Sequence, residues 1–170
     1  MELWLVRHGE ATHNVDYRQR GEAAYLDDRH TNSHLTARGL GQARRCVLPG
    51  QPDVALTSPL RRAQDTAHIV MQAYQDVPIV VLDFLREFPN GLHTPNKLCR
   101  AQDTWNPYRE ETQEELMARV QEFRSWLEGV EHRYQKVAVF GHTSFFQALI
   151  GQDYALPHAR AVRWDPLSRT

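Results

Sequence analysis

Glu2-Leu3-Trp4-Leu5-Val6-Arg7-His8-Gly9-Glu10, with Asn14 four residues on, is the stretch from which the rest of the chain is read. Leu3 to Val6 is an apolar run of strand length, made of residues that suit a pleated, buried surface. It stops in a cation, an imidazole, a glycine and a carboxylate. A strand ending this way points its polar residues out of the carboxyl edge of a sheet, where open α/β proteins bind ligands. Gly9 lets the backbone pass close to whatever His8 faces. A buried edge strand with a solvated turn after it fits these few residues equally well, and the remaining sequence separates the two readings.

At 170 residues the chain reads as a single domain over 1–170, large enough to bury a core. A formal net charge of -1 gives no electrostatic case for nucleic acid or an anionic membrane as partner. Among the 20 basic residues 18 are arginine, the side chain that suits bidentate phosphate recognition. Cys46 and Cys99 lie far apart, without paired-thiol or zinc spacing, and read as free thiols of a reducing compartment. No apolar run approaches membrane length and no signal-peptide pattern opens the chain, so a cytoplasmic location is expected.

Taken in order, residues 15–34 form a charged stretch without clear periodicity, expected as a long functional loop. Thr36 reads as the N-cap of a helix to about Val47 within Leu35-Thr36-x-x-Gly39-x-x-Gln42-Ala43. Asp53 to Thr57 is the second strand. Ser58 as N-cap with Pro59 at the first helical position predicts a helix that puts Arg62 in its first turn, where free N–H groups favour an anion. Arg61 reads as a solvated neighbour. Ile79 to Leu82 is the third strand, followed by Glu87. Residues 83–111, with Pro89, Asn90-Gly91, Pro95 and Pro107, read as a loop over the site carrying His93, Lys97, Arg100, Trp105 and Arg109. Thr112-x-x-Glu115 is a capping box opening a helix with a core stripe of Leu116, Val120, Phe123, Leu127, Val130 and Tyr134. Val137 to Phe140 is the fourth strand, ending in Gly141-His142-Thr143 before an apolar helix. Arg160 to Trp164 is a last edge strand.

This alternation predicts a three-layer α/β/α fold with a mostly parallel central sheet. Arg7, His8, Arg62, Glu87 and His142 then all fall at or just beyond strand ends and converge on one pocket.

Arg-His-Gly-Glu after the first strand, Leu-Thr-x-x-Gly-x-x-Gln-Ala, Ser-x-Leu-x-Arg-Ala-x-x-Thr-Ala and strand-Gly-His-helix together resemble the histidine phosphatase superfamily, also called phosphoglycerate-mutase-like. The resemblance runs from the first strand to the last helix and implies the phosphoglycerate-mutase-like fold. It implies a metal-independent phosphatase without a cofactor, forming a phosphohistidine on His8. Arg7, Arg62 and His142 suit a phosphate dianion and its transition-state charge, with Asn14 and the backbone N–H of Thr143 as further donors. Glu87 is the candidate general acid and base. Glu10 is expected to orient Arg7 or the loop. His13, His30, His34, His68, His93, His132 and His158 share no ligand spacing, so they read as ordinary histidines and no metal site is expected. The substrate expected is a small phosphorylated molecule. A protein phosphohistidine phosphatase acting on a phosphoprotein, a phosphoglycerate mutase and a non-catalytic phosphate-binding relative are the competing readings.

Overall fold

The computed structural model describes residues 1–30, 32–88, 111–153 and 155–166. Five strands, β1 (Glu2–Arg7), β2 (Val54–Thr57), β3 (Ile79–Val81), β4 (Lys136–Gly141) and β5 (Ala161–Trp164), lie in the order β3-β2-β4-β1-β5. The pairs β1–β4, β4–β2 and β2–β3 are parallel, and β5 runs antiparallel along the outer side of β1. The helices are α1 (Thr12–Arg20), α2 (Ala37–Arg45), α3 (Arg61–Met71), α4 (Gln113–Val130) and α5 (Thr143–Ile150).

Alternation along the strands builds two apolar layers. Leu3 and Leu5, Val54 and Leu56, and Val137 and Val139 meet Leu116, Val120, Phe123 and Leu127 of α4 with Phe145 and Phe146 of α5. Trp4, Val6, Ala55, Ala138 and Phe140 point the other way, onto Ala67, Val70 and Met71 of α3. A sheet covered on both faces explains why the inner strands read as continuous apolar runs rather than alternating ones. The three-layer fold with its mostly parallel sheet is the one expected. Among the described residues no helix is long and apolar enough to cross a membrane.

Two local expectations need correction. Residues 15–34 are not all loop: α1 runs to Arg20 and short 3-10 turns follow over Gly21–Leu26 and Asp28–His30. Helix α1 buries none of its residues, so it shows no apolar period, and it is held instead by polar pairs such as Arg20 with Asp16. Helix α3 starts at Arg61 with Leu60 as its N-cap, not at Pro59 after Ser58. The Ser58 hydroxyl accepts from Leu60 N at 3.1 Å and also pairs with His142, which fixes it outside the helix. The two capping expectations around Thr36 and Thr112 hold. Of the loop expected over residues 83–111, Asp83–Leu85 form a 3-10 turn, and His93, Lys97, Arg100, Trp105 and Arg109 lie outside the described residues, as does Cys99.

The backbone after β1 and the start of α2 touch directly. A Cβ on Gly39 would sit 2.0 Å from the carbonyl oxygen of Glu10, and one on Gly9 would sit 2.6 Å from the carbonyl oxygen of Gly39. Neither neighbour is a side chain that can swing aside. Gly39→Ala should therefore destabilise the protein by about 1–3 kcal/mol or more, as overpacking does. Gly129→Ala, in open space on α4, should be neutral or stabilising by up to about 1 kcal/mol. Urea unfolding of both variants checks the contrast.

Candidate active site

The parallel ladder continues one residue beyond the strands. His8 N donates to Gly141 O at 3.0 Å and Ser58 N donates to Phe140 O at 3.0 Å. This brings the residues following β1, β2 and β4 to one place, where the rings of His8 and His142 lie 5.3 Å apart and both are buried. His8 Nδ1 is 2.7 Å from Gly9 O. A carbonyl oxygen only accepts, so the ring proton sits on Nδ1 and Nε2 presents its lone pair. Arg62 Nε donates to that Nε2 at 3.3 Å. Burial first, then the charges of Arg62 and His142, push the His8 pKa well below its ordinary value. His8 is held as a neutral imidazole with one unprotonated ring nitrogen, Nε2, facing Arg62.

The loop carrying His8 is seated on two other segments. Gly9 N donates to Thr66 Oγ1 of α3 at 3.0 Å, and Glu10 N donates to Gln42 Oε1 of α2 at 2.8 Å. Thr36 N donates to Glu10 O at 2.9 Å, and Thr36 Oγ1 donates to Glu10 Oε1 at 2.8 Å. Glu10 therefore orients the loop rather than Arg7. Burial alone would raise its pKa, but hydrogen bonds from Arg18 and Thr36 outweigh it and hold the carboxylate ionised. Arg7 turns instead to the segment before β5: its Nη1 donates to Leu156 O at 3.1 Å, and its carbonyl accepts from Ala159 N at 2.8 Å.

Arg62 is nearly buried as the second residue of α3, and Arg61 beside it is exposed and faces Asp65, as expected of a solvated neighbour. His142 is the N-cap of α5 and its Nε2 pairs with Ser58 Oγ at 2.8 Å. Among the described residues its buried Nδ1 has no partner, and neither has the buried Oγ1 of Thr143. Burial, then Arg62 and His13, keep the His142 pKa well below ordinary, so this ring is neutral too. The Ser58 hydroxyl and His142 Nε2 share one hydrogen bond, whose direction follows the ring's tautomer. Asn14 closes the first turn of α1: its Oδ1 accepts from Ala11 N at 2.9 Å and its Nδ2 donates to His13 Nε2 at 3.2 Å.

Glu87 arrives from the far side of the sheet, after the 3-10 turn following β3. Its Oε1 accepts from Phe88 N at 2.9 Å, Ser144 N at 3.1 Å and Phe145 N at 3.3 Å. Two of these donors are in the first turn of α5, so Glu87 and His142 share one helix end. Burial raises the Glu87 pKa, outweighing the N–H groups of Phe88 and Phe145 and the charges of Arg62 and Arg7, which favour the anion. Three N–H groups converge on Oε1, while Oε2 lies 3.5 Å from Ser144 N.

Two residues expected to be ordinary stand beside His8. The His13 ring is 5.9 Å away and the His158 ring 5.6 Å away. His13 Nδ1 pairs with Ser33 Oγ at 2.6 Å, and His158 Nδ1 donates to the carbonyl of His8 at 2.7 Å. Antiparallel pairing of a last strand with β1 has to bring the residues before it to the carboxyl end of β1, and that was the available signal for His158. His34, His68 and His132 are exposed as expected. Among the described residues the one group of three metal-ligand types within reach of each other is Asp16, Asp27 and His30, and the two carboxylates already pair with Arg20 and Arg29.

His8, His13 and His142 all bind protons less readily folded than unfolded, so stability is complete above the unfolded histidine pKa near 6.5 and falls as pH drops through it. Below about pH 6.5 the unfolding free energy should fall with a slope that approaches about 1.4 kcal/mol per pH unit for each such histidine, offset in part by Glu87, whose raised pKa acts with the opposite sign. Urea titrations across that range read the slope. Imidazole ¹⁵N spectra at pH 6 should show His8 neutral and protonated on Nδ1.

The sequence profile of the histidine phosphatase superfamily (branch 1) matches residues 3–170. The adenosylcobalamin/alpha-ribazole phosphatase of Escherichia coli K12 is 28% identical over 173 residues, spanning 92% of this chain and 81% of that protein. The Bacillus subtilis protein named uncharacterized phosphatase PhoE is 32% identical, over 93% of this chain and 82% of its own length. Among solved structures, the alpha-ribazole phosphatase from Shigella flexneri superimposes with a TM-score of 0.71 at 26% identity, covering 97% of this chain and 90% of that one. TTHB049 from Thermus thermophilus gives 0.67 at 30% identity, covering 97% and 94%. With a profile match over nearly its whole length laid on this fold, the chain belongs to the histidine phosphatase superfamily, branch 1.

Proposed function

We propose that this chain hydrolyses a small phosphomonoester through a phosphohistidine on His8, with Glu87 as general acid and then general base. The observation that carries the reading is the state of His8: proton on Nδ1 against Gly9 O, bare Nε2 facing Arg62, in a buried pocket. Relatives named as phosphatases of small molecules, the adenosylcobalamin/alpha-ribazole phosphatase of E. coli and the 5''-phosphoribostamycin phosphatase of Niallia circulans, support the substrate class.

In the first step the Nε2 lone pair of His8 forms a bond to phosphorus while the ester P–O bond breaks. Glu87 passes its proton to the departing alkoxide oxygen and becomes a carboxylate. Arg7 and Arg62 meet the equatorial oxygens with charges that cannot titrate away, and His142 donates from Nδ1. The backbone N–H of Thr143 at the start of α5 and the amide of Asn14 are further donors. In the second step Glu87 takes a proton from water, the hydroxide oxygen bonds to phosphorus, and the P–N bond breaks with its electron pair returning to Nε2. Guanidinium groups and a helix end supply the positive charge in this scheme, so it calls for no metal.

The raised pKa of Glu87 favours an ester over a phosphohistidine protein as substrate. An alkoxide leaves with a strong demand for a proton, whereas imidazole, whose conjugate acid titrates near 6.5, leaves with far less.

His8→Ala should abolish phosphate release, and rapid quench of the parent enzyme with a ³²P-labelled ester in EDTA should place acid-labile, base-stable label on His8. Glu87→Gln should lower kcat by about 10²–10³-fold on an alkyl phosphate and by less than about tenfold on 4-nitrophenyl phosphate, whose leaving group hardly needs a proton. Turnover lost in EDTA and restored by a divalent ion would contradict the scheme.

A further inference from the structure

Arg119 lies on the face of α4 that otherwise carries the core stripe, and it is 6% exposed. A guanidinium taken out of water there is costly, and an apolar side chain of similar volume would serve stability as well or better. Three of its contacts lead towards Glu87, and a fourth, with Glu111, balances its charge. Nη1 donates at 2.6 Å to Phe84 O and at 2.6 Å to Arg86 O, the latter being the carbonyl of the peptide that joins Glu87 to the chain. Nε and Nη2 grip both oxygens of Glu111 at 2.8 and 2.6 Å. The guanidinium carbon sits 5.3 Å from the centre of the Phe145 ring, and Phe145 N is one of the three donors to Glu87 Oε1. One side chain thus fastens the turn that carries Glu87 and the residue that anchors its carboxyl.

We infer that Arg119 is the positioning residue for the general acid, fixing where the Glu87 carboxyl stands relative to the leaving oxygen. The inference rests on the reading of Glu87 as that acid. A fork of planar donors is required, because two carbonyls and a bidentate carboxylate lie in different directions from one centre. A lysine offers a single ammonium and does not span them. Proton transfer requires hydrogen-bond reach, so a small drift of this turn disables it while leaving His8 and Arg62, which are held by other segments, in place.

The test is a double-mutant comparison on two substrates, glycerol phosphate and 4-nitrophenyl phosphate. Arg119→Met should lower kcat on glycerol phosphate by about 30–100-fold and on 4-nitrophenyl phosphate by less than about threefold, part of the 10²–10⁴ that a positioned acid supplies. In a Glu87→Gln background the same change should cost glycerol phosphate hydrolysis less than about threefold more, because the two residues act through one proton. Equal losses on both substrates, or losses that multiply with those of Glu87→Gln, would overturn the inference in favour of a structural role. Should Arg119→Met leave Glu111 stranded and the protein unfolded, Arg119→Met with Glu111→Leu removes the buried carboxylate and reads out the same comparison. A Glu87→Gln variant with no preference between leaving groups removes the acid reading and this inference with it. A clear Glu87 preference without one for Arg119 removes the inference alone.

Discussion

A hydrogen bond of 2.7 Å between His8 Nδ1 and the carbonyl of the next residue decides which nitrogen of the central imidazole is available, and much of the structure keeps that carbonyl in place. The Gly9 peptide is bonded to α3 through Thr66, and the Glu10 peptide after it to α2 through Gln42 and Thr36. The close backbone approach of Gly39 leaves the loop no room to flip its peptides. A tautomer is worth little free energy in solution. Here it is enforced by the packing of two helices against one loop, and chemistry that needs a bare Nε2 inherits that rigidity.

The division of charge follows from the same enclosure. Four imidazoles crowd together, and desolvation beside guanidinium groups suppresses the protonation of His8, His13, His142 and His158 alike. Positive charge is left to arginines, which hold it at any pH the protein meets, while histidines are left as neutral donors and acceptors. Glu87 is treated in the opposite sense, since burial pushes it towards its neutral form. One dehydrated environment thus shifts two imidazoles and a carboxyl towards their neutral forms.

Elements whose burial pattern and caps agree were legible in the sequence: the four parallel strands, the Thr36 and Thr112 helix starts, and the strand-end positions of His8 and His142. Helix α1 was not, because it buries nothing and therefore carries no period. Ser58 looked like a helix cap because serine before proline usually is one, but its hydroxyl is shared between Leu60 N and His142. The partners of Glu10 depended on a loop path that spacing does not encode. His13 and His158 reach His8 only through tertiary arrangement, and Arg119 was hidden within a helix whose stripe was read for its apolar members. In each case the missing information was a contact between segments distant in sequence.

The seam between the end of β1 and the segment entering β5, where Arg7 bridges to His158, also bears on the order in which the molecule is made. His158 Nδ1 bonds to His8 O across a separation of 150 residues, and Ala159 N closes on Arg7 O beside it. At ribosomal rates of about 5–20 residues per second, His8 emerges on the order of ten seconds before the residues that complete its surroundings. The strand between β1 and β2 in the sheet centre, β4, also comes from the last quarter of the chain. The contacts of the His8 loop with α2 and α3 are thus available early in the chain, and those from β4 and the segment entering β5 close last.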